Sequence, residues 1–370
     1  MPNKAYIHIN MLLQMAHIPQ NYPSMNYILK TDMNKAMKNG KTKQNVKTNT
    51  KTHKALKAAG IAAGAAAAAS LSAVITTKCL VNVALDREPP QFLKDANRLV
   101  SGSQANEDFM RRVSEASERL AATPNETVRI TAHDGLTLTG HVIAAEDPER
   151  VIIAMHGWRS SWHADFGMVA DFWHRNNCTV LYAEQRGQNN SDGEYMGFGL
   201  TERFDCLDWV KYMNSRFGTA LPVWLCGVSM GATTVLMTAG LDLPENVHGI
   251  IADCGFTSPG AIWKHVAEKN LHISYGLRSA VADAMCRRKI LMGADDYSTV
   301  DALRAAKVPV MFIHGTDDRF VPISMTYENY LACASPRELL VVPGADHGMS
   351  YYLEKEKYEE QVLDFWHKYS

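Results

Sequence analysis

The 370-residue sequence contains no C-x-x-C pair, and its seven cysteines (Cys79, Cys178, Cys206, Cys226, Cys254, Cys286 and Cys333) are odd in number and scattered. This excludes a disulfide framework and offers no zinc-ligand spacing, so the thiols read as small buried hydrophobes. Net charge is nearly absent, at −1, but the balance hides an asymmetry: residues 1–57 carry ten Lys and one Asp, and the remainder carries 28 basic and 38 acidic groups. An acidic body argues against nucleic acid as its partner, while a basic arm suits a negatively charged surface. Internal repeats are missing, and no long low-complexity linker divides residues 123–370, which read as one domain. With 46% hydrophobic and 21% charged residues, the chain is globular rather than wholly disordered, collagen-like or coiled-coil.

Residues 1–54 lack a sustained apolar period and are rich in Asn, Lys, Thr and Met, as a disordered arm would be. Met37-Lys38-Asn39-Gly40-Lys41 has the form of a bacterial start, which would make the first 36 residues an upstream extension. Residues 58–77 are then 20 uncharged, mostly Ala positions between Lys57 and Lys78. As a helix they span about 30 Å, the thickness of a bilayer core. Cys79 to Leu85 extends the run. Lysines 41, 43, 47, 51, 54 and 57 precede it, so residues 55–85 are expected to anchor the chain in the cell membrane, N-terminus cytoplasmic and body outside. The rival readings are an Ala-rich surface helix of a cytoplasmic protein and a cleaved signal peptide. Residues 86–122 look like a charged helical linker.

Strand-like runs follow at 127–131, 136–143, 150–155, 179–183, 223–226, 249–252, 308–313 and 338–342. Asp134-Gly135 marks a hairpin between the first two. From the third onward the runs are continuously apolar and separated by helix-length segments, the pattern of a parallel sheet covered on both faces. The fold class is therefore α/β, an antiparallel hairpin leading into about six parallel strands.

Gly227-Val228-Ser229-Met230-Gly231 directly follows the fifth run and opens a helical one. A serine at such a strand-to-helix tip is exposed on a strained backbone, and Gly227 and Gly231 are needed where side chains would collide. A hydroxyl needs a base to become nucleophilic, and the base needs an orienting carboxylate. Later strands end in His314-Gly315-Thr316-Asp317-Asp318 and in Pro343-Gly344-Ala345-Asp346-His347, which supply both in the order Ser, Asp, His.

With these motifs the chain resembles the α/β-hydrolases over roughly residues 125–368, and within them the bacterial serine-aminopeptidase-like and cell-surface hydrolases. The resemblance implies an eight-stranded, mostly parallel sheet with a small cap insertion at about 254–300. It aligns the family's H-G-x-x-D-x-x-V-P pattern on His314 to Pro322, giving Asp318 as the triad acid with adjacent Asp317 as the alternative, and His347 as the base. The backbone N–H groups of Met230 and Trp158, the latter in His156-Gly157-Trp158-Arg159, are the expected oxyanion donors. His156, His314, Asp346, Ser160 and Ser258 are expected to be structural. Glu184-Gln185-Arg186-Gly187-Gln188-Asn189 departs from the usual Asp-Gln-Arg-Gly segment at Glu184 and Asn189; Arg186 should pair with a helix acid such as Glu202 or Asp205. Trp263, Leu271, Ile273, Tyr275 and Leu277 either line an acyl pocket or pack the cap.

The expected activity is acyl-enzyme hydrolysis of a small ester or thioester, with a small peptide or amide as the nearest rival and no metal or organic cofactor required. Acyl transfer on the same residues, a catalytically silent binding protein, and a basic arm that binds anionic lipid or nucleic acid remain as alternatives.

Overall fold

A computed structural model describes residues 50–88, 107–276 and 278–370. Most of the expected disordered arm (residues 1–49), residues 89–106 of the expected linker and Leu277 of the cap lie outside the described residues. The chain divides into two compact units, 1–65 and 66–370. The described part of the first belongs to one long helix, α1 (Thr50–Leu85). The second holds the rest of α1 and everything after it.

The eight strands are β1 (Glu126–Thr131), β2 (Thr137–Ile143), β3 (Arg150–Met155), β4 (Cys178–Ala183), β5 (Val223–Val228), β6 (Val247–Asp253), β7 (Val310–Gly315) and β8 (Arg337–Val342). They form one sheet in the order β1-β2-β4-β3-β5-β6-β7-β8. β1 and β2 pair antiparallel, β2 meets β4 antiparallel, and β3 to β8 run parallel. This is the expected hairpin and six parallel strands. β3, β4 and β7 are buried along their whole length, because helices cover both faces and leave no solvent side to which polar residues could alternate.

Those helices are α2 (Glu107–Ala122), α3 (Trp162–Arg175), α4 (Glu202–Phe217), α5 (Met230–Thr238), α6 (Pro259–His265), α7 (Arg278–Ile290), α8 (Thr299–Arg304), α9 (Ile323–Ala332), α10 (Ser350–Leu353) and α11 (Lys355–Tyr369). Several begin on a side-chain cap that meets an orphan N–H. Ser161 accepts from Ala164, Ser258 accepts from Ala261 just before Pro259, and Ser298 with Asp301 forms a reciprocal capping box. One face of the sheet packs Leu138, Leu181, Trp209, Leu225 and Val235. The other packs Ile152, Phe166, Trp224, Phe365 and Trp366.

A third apolar cluster joins Val81 and Leu85 of α1 to Phe198, Met230, Phe256, Ile262 and Cys286. The end of α1, read in the sequence as an extension of the membrane run, is thus part of the body: Val81, Val83 and Leu85 are only 4%, 9% and 0% exposed. Helix C-termini leave carbonyls unpaired, and here the body supplies their donors. The Trp158 indole donates to Ala84 O at 2.9 Å, and Met196 N to Leu85 O at 2.7 Å. The Arg159 guanidinium takes the carbonyls of Val83, Asp86 and Arg87. Lys289 of α7 pairs with Asp86.

Candidate active site

Ser229 sits between β5 and α5 at φ 55°, ψ −116°, a conformation that costs about 1–3 kcal/mol and persists only when its surroundings enforce it. The flanking glycines explain how they do. A Cβ on Gly231 would lie 1.8 Å from Met155 O, and one on Gly227 would lie 2.3 Å from the Gly231 backbone. The turn is fastened further by Ser229 N donating to Asp253 O at 2.9 Å.

His347 approaches from the loop after β8, and its Nε2 accepts from Ser229 Oγ at 2.9 Å. Its Nδ1–H donates to Asp318 Oδ2 at 2.7 Å. Asp318 Oδ1 in turn accepts the backbone N–H groups of Phe320 and Val321 at 2.9 and 2.8 Å. Of the two adjacent acids, then, Asp318 is the one brought to His347; Asp317 accepts from Thr316 Oγ1 and faces solvent. His314 shares the same carboxylate. Its Nδ1 accepts from Thr326 Oγ1 at 2.6 Å, leaving Nε2–H to donate between Val321 O at 2.9 Å and Asp318 Oδ2 at 3.1 Å. Asp346 steadies the loop by accepting from His347 N and Arg319 N.

The electrostatics follow from this wiring. Burial opposes ionisation of Asp318, but the two histidines and the hydrogen bonds they donate hold its carboxyl well below the usual carboxylate range. For His347, burial opposes the charged form, while the neighbouring Cys254 and then Asp318 at Nδ1 favour it, and together they hold the imidazole above its ordinary value. Burial in turn pushes the Cys254 thiol up to about 11. Burial also lifts Asp253, which accepts from Ser350, to about 6.

The other expected roles can be read from contacts. His156 is buried, donating from Nδ1 to Gly157 O at 2.8 Å and accepting Gln185 N at Nε2 at 3.1 Å. Ser160 donates to Asp165, and Ser258, the cap of α6, donates to Asp295. Arg186 is clamped by both oxygens of Asp205 and by Asp134, while Glu202 accepts the Gly197 and Gly199 amides instead. Glu184 binds His141 and Asn190, and Asn189 takes the left-handed conformation at φ 50°. Asn tolerates that region well enough to stand where glycine is common.

Two cavities meet at Ser229. The inner one, of about 100 Å³, is almost wholly apolar; its walls include Phe198, Phe256, Ile262, Trp263, Leu271 and Tyr275, and on the α1 side Thr77, Leu80, Val81 and Ala84. Of the five cap residues singled out in the sequence, Trp263, Leu271 and Tyr275 line it and Ile273 does not. The outer cleft, of about 540 Å³, is bounded by Arg159, Ser160, Asp165, His347, Tyr352 and the α2 residues Phe109 and Met110. Sequence reasoning missed the contributions of α1 and α2. No motif marks them, and the alternation of Val81, Val83 and Leu85 was the one available hint.

Two groups of possible metal donors exist among the described residues: Cys254, Asp318 and His347, and His133, Asp205 and Asp208. In each, the donors are already spent on one another or on Arg186 and Lys211, so neither presents a vacant ligand set.

Comparison with known proteins places this geometry in a lineage. The chain is 26% identical over 235 residues to the uncharacterized protein YqkD of Bacillus subtilis, spanning 62% of this chain and 75% of that one. In three dimensions it is similar to the Pyrococcus furiosus esterase Pf2001, at a TM-score of 0.54 and 21% identity over 68% of this chain and 95% of that one. It is also similar to the Pyrococcus horikoshii acylaminoacyl peptidase, at a TM-score of 0.51 and 16% identity over 66% of this chain and 41% of that one. At such identities the structural likeness speaks to the fold alone, and the α/β-hydrolase expectation is met. The sequence profile of the prolyl oligopeptidase family matches residues 164–370. With more than half its length so matched, the chain belongs to the prolyl oligopeptidase family and is a serine hydrolase of the α/β fold.

Proposed function

We propose that this protein is a membrane-anchored hydrolase that cleaves an ester or thioester through an acyl-enzyme. The observation that carries the reading is the relay from Ser229 Oγ through His347 to Asp318, at 2.9 and 2.7 Å, with the serine held on a strained turn. Ser229 Oγ attacks the carbonyl carbon while His347 Nε2 takes the hydroxyl proton, and His347 then gives that proton to the leaving alcohol or thiol. Asp318 stays ionised and stabilises the imidazolium. Water attacks the acyl-enzyme by the same route, and Ser229 regains its proton. The Met230 amide opens α5 and so has no acceptor within its helix. The Trp158 amide lies between those of Gly157 and Arg159, which Asp165 and Gln188 already engage. We assign these two amides to the oxyanion.

An aminopeptidase requires a free carboxylate for the substrate's amino group. Among the described residues no Asp or Glu lines the inner cavity, and Asp165 and Asp253 in the outer cleft accept from Gly157, Ser160 and Ser350. This argues against an aminopeptidase, and the apolar lining beside Ser229 supports an ester or thioester. The segment Lys57–Leu85 is long and apolar enough to cross a membrane. Its lysine-rich flank supports a cytoplasmic N-terminus, with the hydrolase domain, 123–370, outside.

The test is fluorophosphonate labelling of the full chain beside Ser229→Ala, with p-nitrophenyl acetate turnover measured on both. Labelling should vanish in the variant and turnover fall at least about a thousandfold. Labelling that survives the substitution, or a folded wild type that never labels, would overturn the reading.

A further inference from the structure

The inner cavity runs along α1, and this is what its lining says about substrate. Ala84 faces it beside Trp158, Leu80 and Val81 follow, and Thr77 closes the series. Those residues span about 10 Å of helix. Ser229 is on the cavity wall, and Thr77 is the earliest α1 residue to line it. Just beyond Thr77 the helix turns apolar side chains outward, with Leu71 62% and Ile75 59% exposed. The opposite wall is the cap, from Ile262 to Ala282, where Arg278 is the one charged residue in contact with the cavity among the described residues.

We propose that this cavity is the acyl subsite, that it takes the unbranched chain of a medium-length fatty-acyl ester, and that the last turns of the anchor helix set how long a chain is accepted. The inference rests on the ester-hydrolase reading above. A cavity of about 100 Å³ walled almost entirely by carbon has little to offer a charged or hydrogen-bonding acyl group, whereas each methylene it buries leaves water. In such a site kcat/KM rises roughly fourfold per added methylene until the space is full. Val81 and Ala84 stand on the α1 wall, so their volume controls the free length.

The experiment uses the full chain in phosphatidylcholine vesicles and the p-nitrophenyl esters of acetate, butyrate, octanoate and dodecanoate. Wild type should prefer octanoate to acetate by tenfold or more. Ala84→Leu narrows the cavity and should move the optimum toward butyrate; Val81→Ala widens it and should move the optimum toward dodecanoate. Opposite shifts from two variants of one helix cannot come from partial unfolding, which lowers all four rates together. A flat profile, or one optimum shared by wild type and both variants, overturns the proposal, provided Ser229 still takes the fluorophosphonate. Loss of labelling in the wild type would instead sink the hydrolase reading itself. A second arm offers monooctanoylglycerol. Hydrolysis confined to vesicles that also hold the protein assigns a bilayer lipid as the source of the chain, and equal hydrolysis from solution assigns a dissolved ester; the shifted optimum supports the subsite in either case.

Discussion

At the scale of single residues, the site is governed by how many partners Asp318 has. Four donors converge on one carboxylate, so it stays ionised and raises the affinity of His347 for a proton. Catalysis needs the neutral imidazole, and protonation removes the base. The acid limb of kcat/KM should therefore fall above the ordinary histidine value of 6.5, and Asp318→Asn should move it down while lowering kcat about 10⁴-fold. A pH profile with its limb below that value would contradict the wiring. The same carboxylate bears on stability in the opposite range. Its lowered folded value stabilises the protein above the unfolded carboxyl pKa of about 3.9, and that contribution is lost as pH falls toward the folded value. Gly231→Ala should lower the unfolding free energy by about 3 kcal/mol, read as a lower urea midpoint, since a Cβ there meets a backbone oxygen that cannot move aside. Ser229, His347 and the elbow glycines were legible in the sequence because local backbone demands dictate them. Asp318 was named ahead of Asp317 only through the resemblance's pattern, because neighbours on a loop are separated physically by which one the Phe320 and Val321 amides grip.

At the scale of elements, the eight strands were legible because burial on both faces writes itself as an unbroken apolar run. The clamp of Arg186 on Asp205 and Asp134 was legible in part, with Asp205 rather than Glu202 as its helix acid. Removing Arg186 would strand a buried carboxylate, so Arg186→Ala should cost about 3–5 kcal/mol in denaturant. The end of α1 was illegible for a physical reason. Its apolar residues suit a bilayer as well as a protein interior, and its partners Trp158, Arg159 and Met196 lie more than 70 positions away. Arg159 couples that end to the loop bearing the Trp158 amide. Arg159→Ala should lower kcat about tenfold, or 1.4 kcal/mol, with a smaller effect on KM. A change in melting temperature with kcat intact would make Arg159 a scaffold residue only.

At the scale of the whole molecule, the apolar cavity beside Ser229 has walls from two sources, the cap and the last turns of α1, and the second is supplied by a segment that reads as an anchor. A chain beginning at residue 107 should keep the sheet and its two main cores, yet label with fluorophosphonate more slowly than the full chain; labelling at an equal rate would mean that the α1 wall is dispensable. If α1 anchors the chain as proposed, its double use would limit where the enzyme can work. Losing α1 would then free the body from its surface and, in the same stroke, take away the wall that Thr77, Leu80, Val81 and Ala84 supply. On that proposal activity has a fixed address, since release and disarming would be one event.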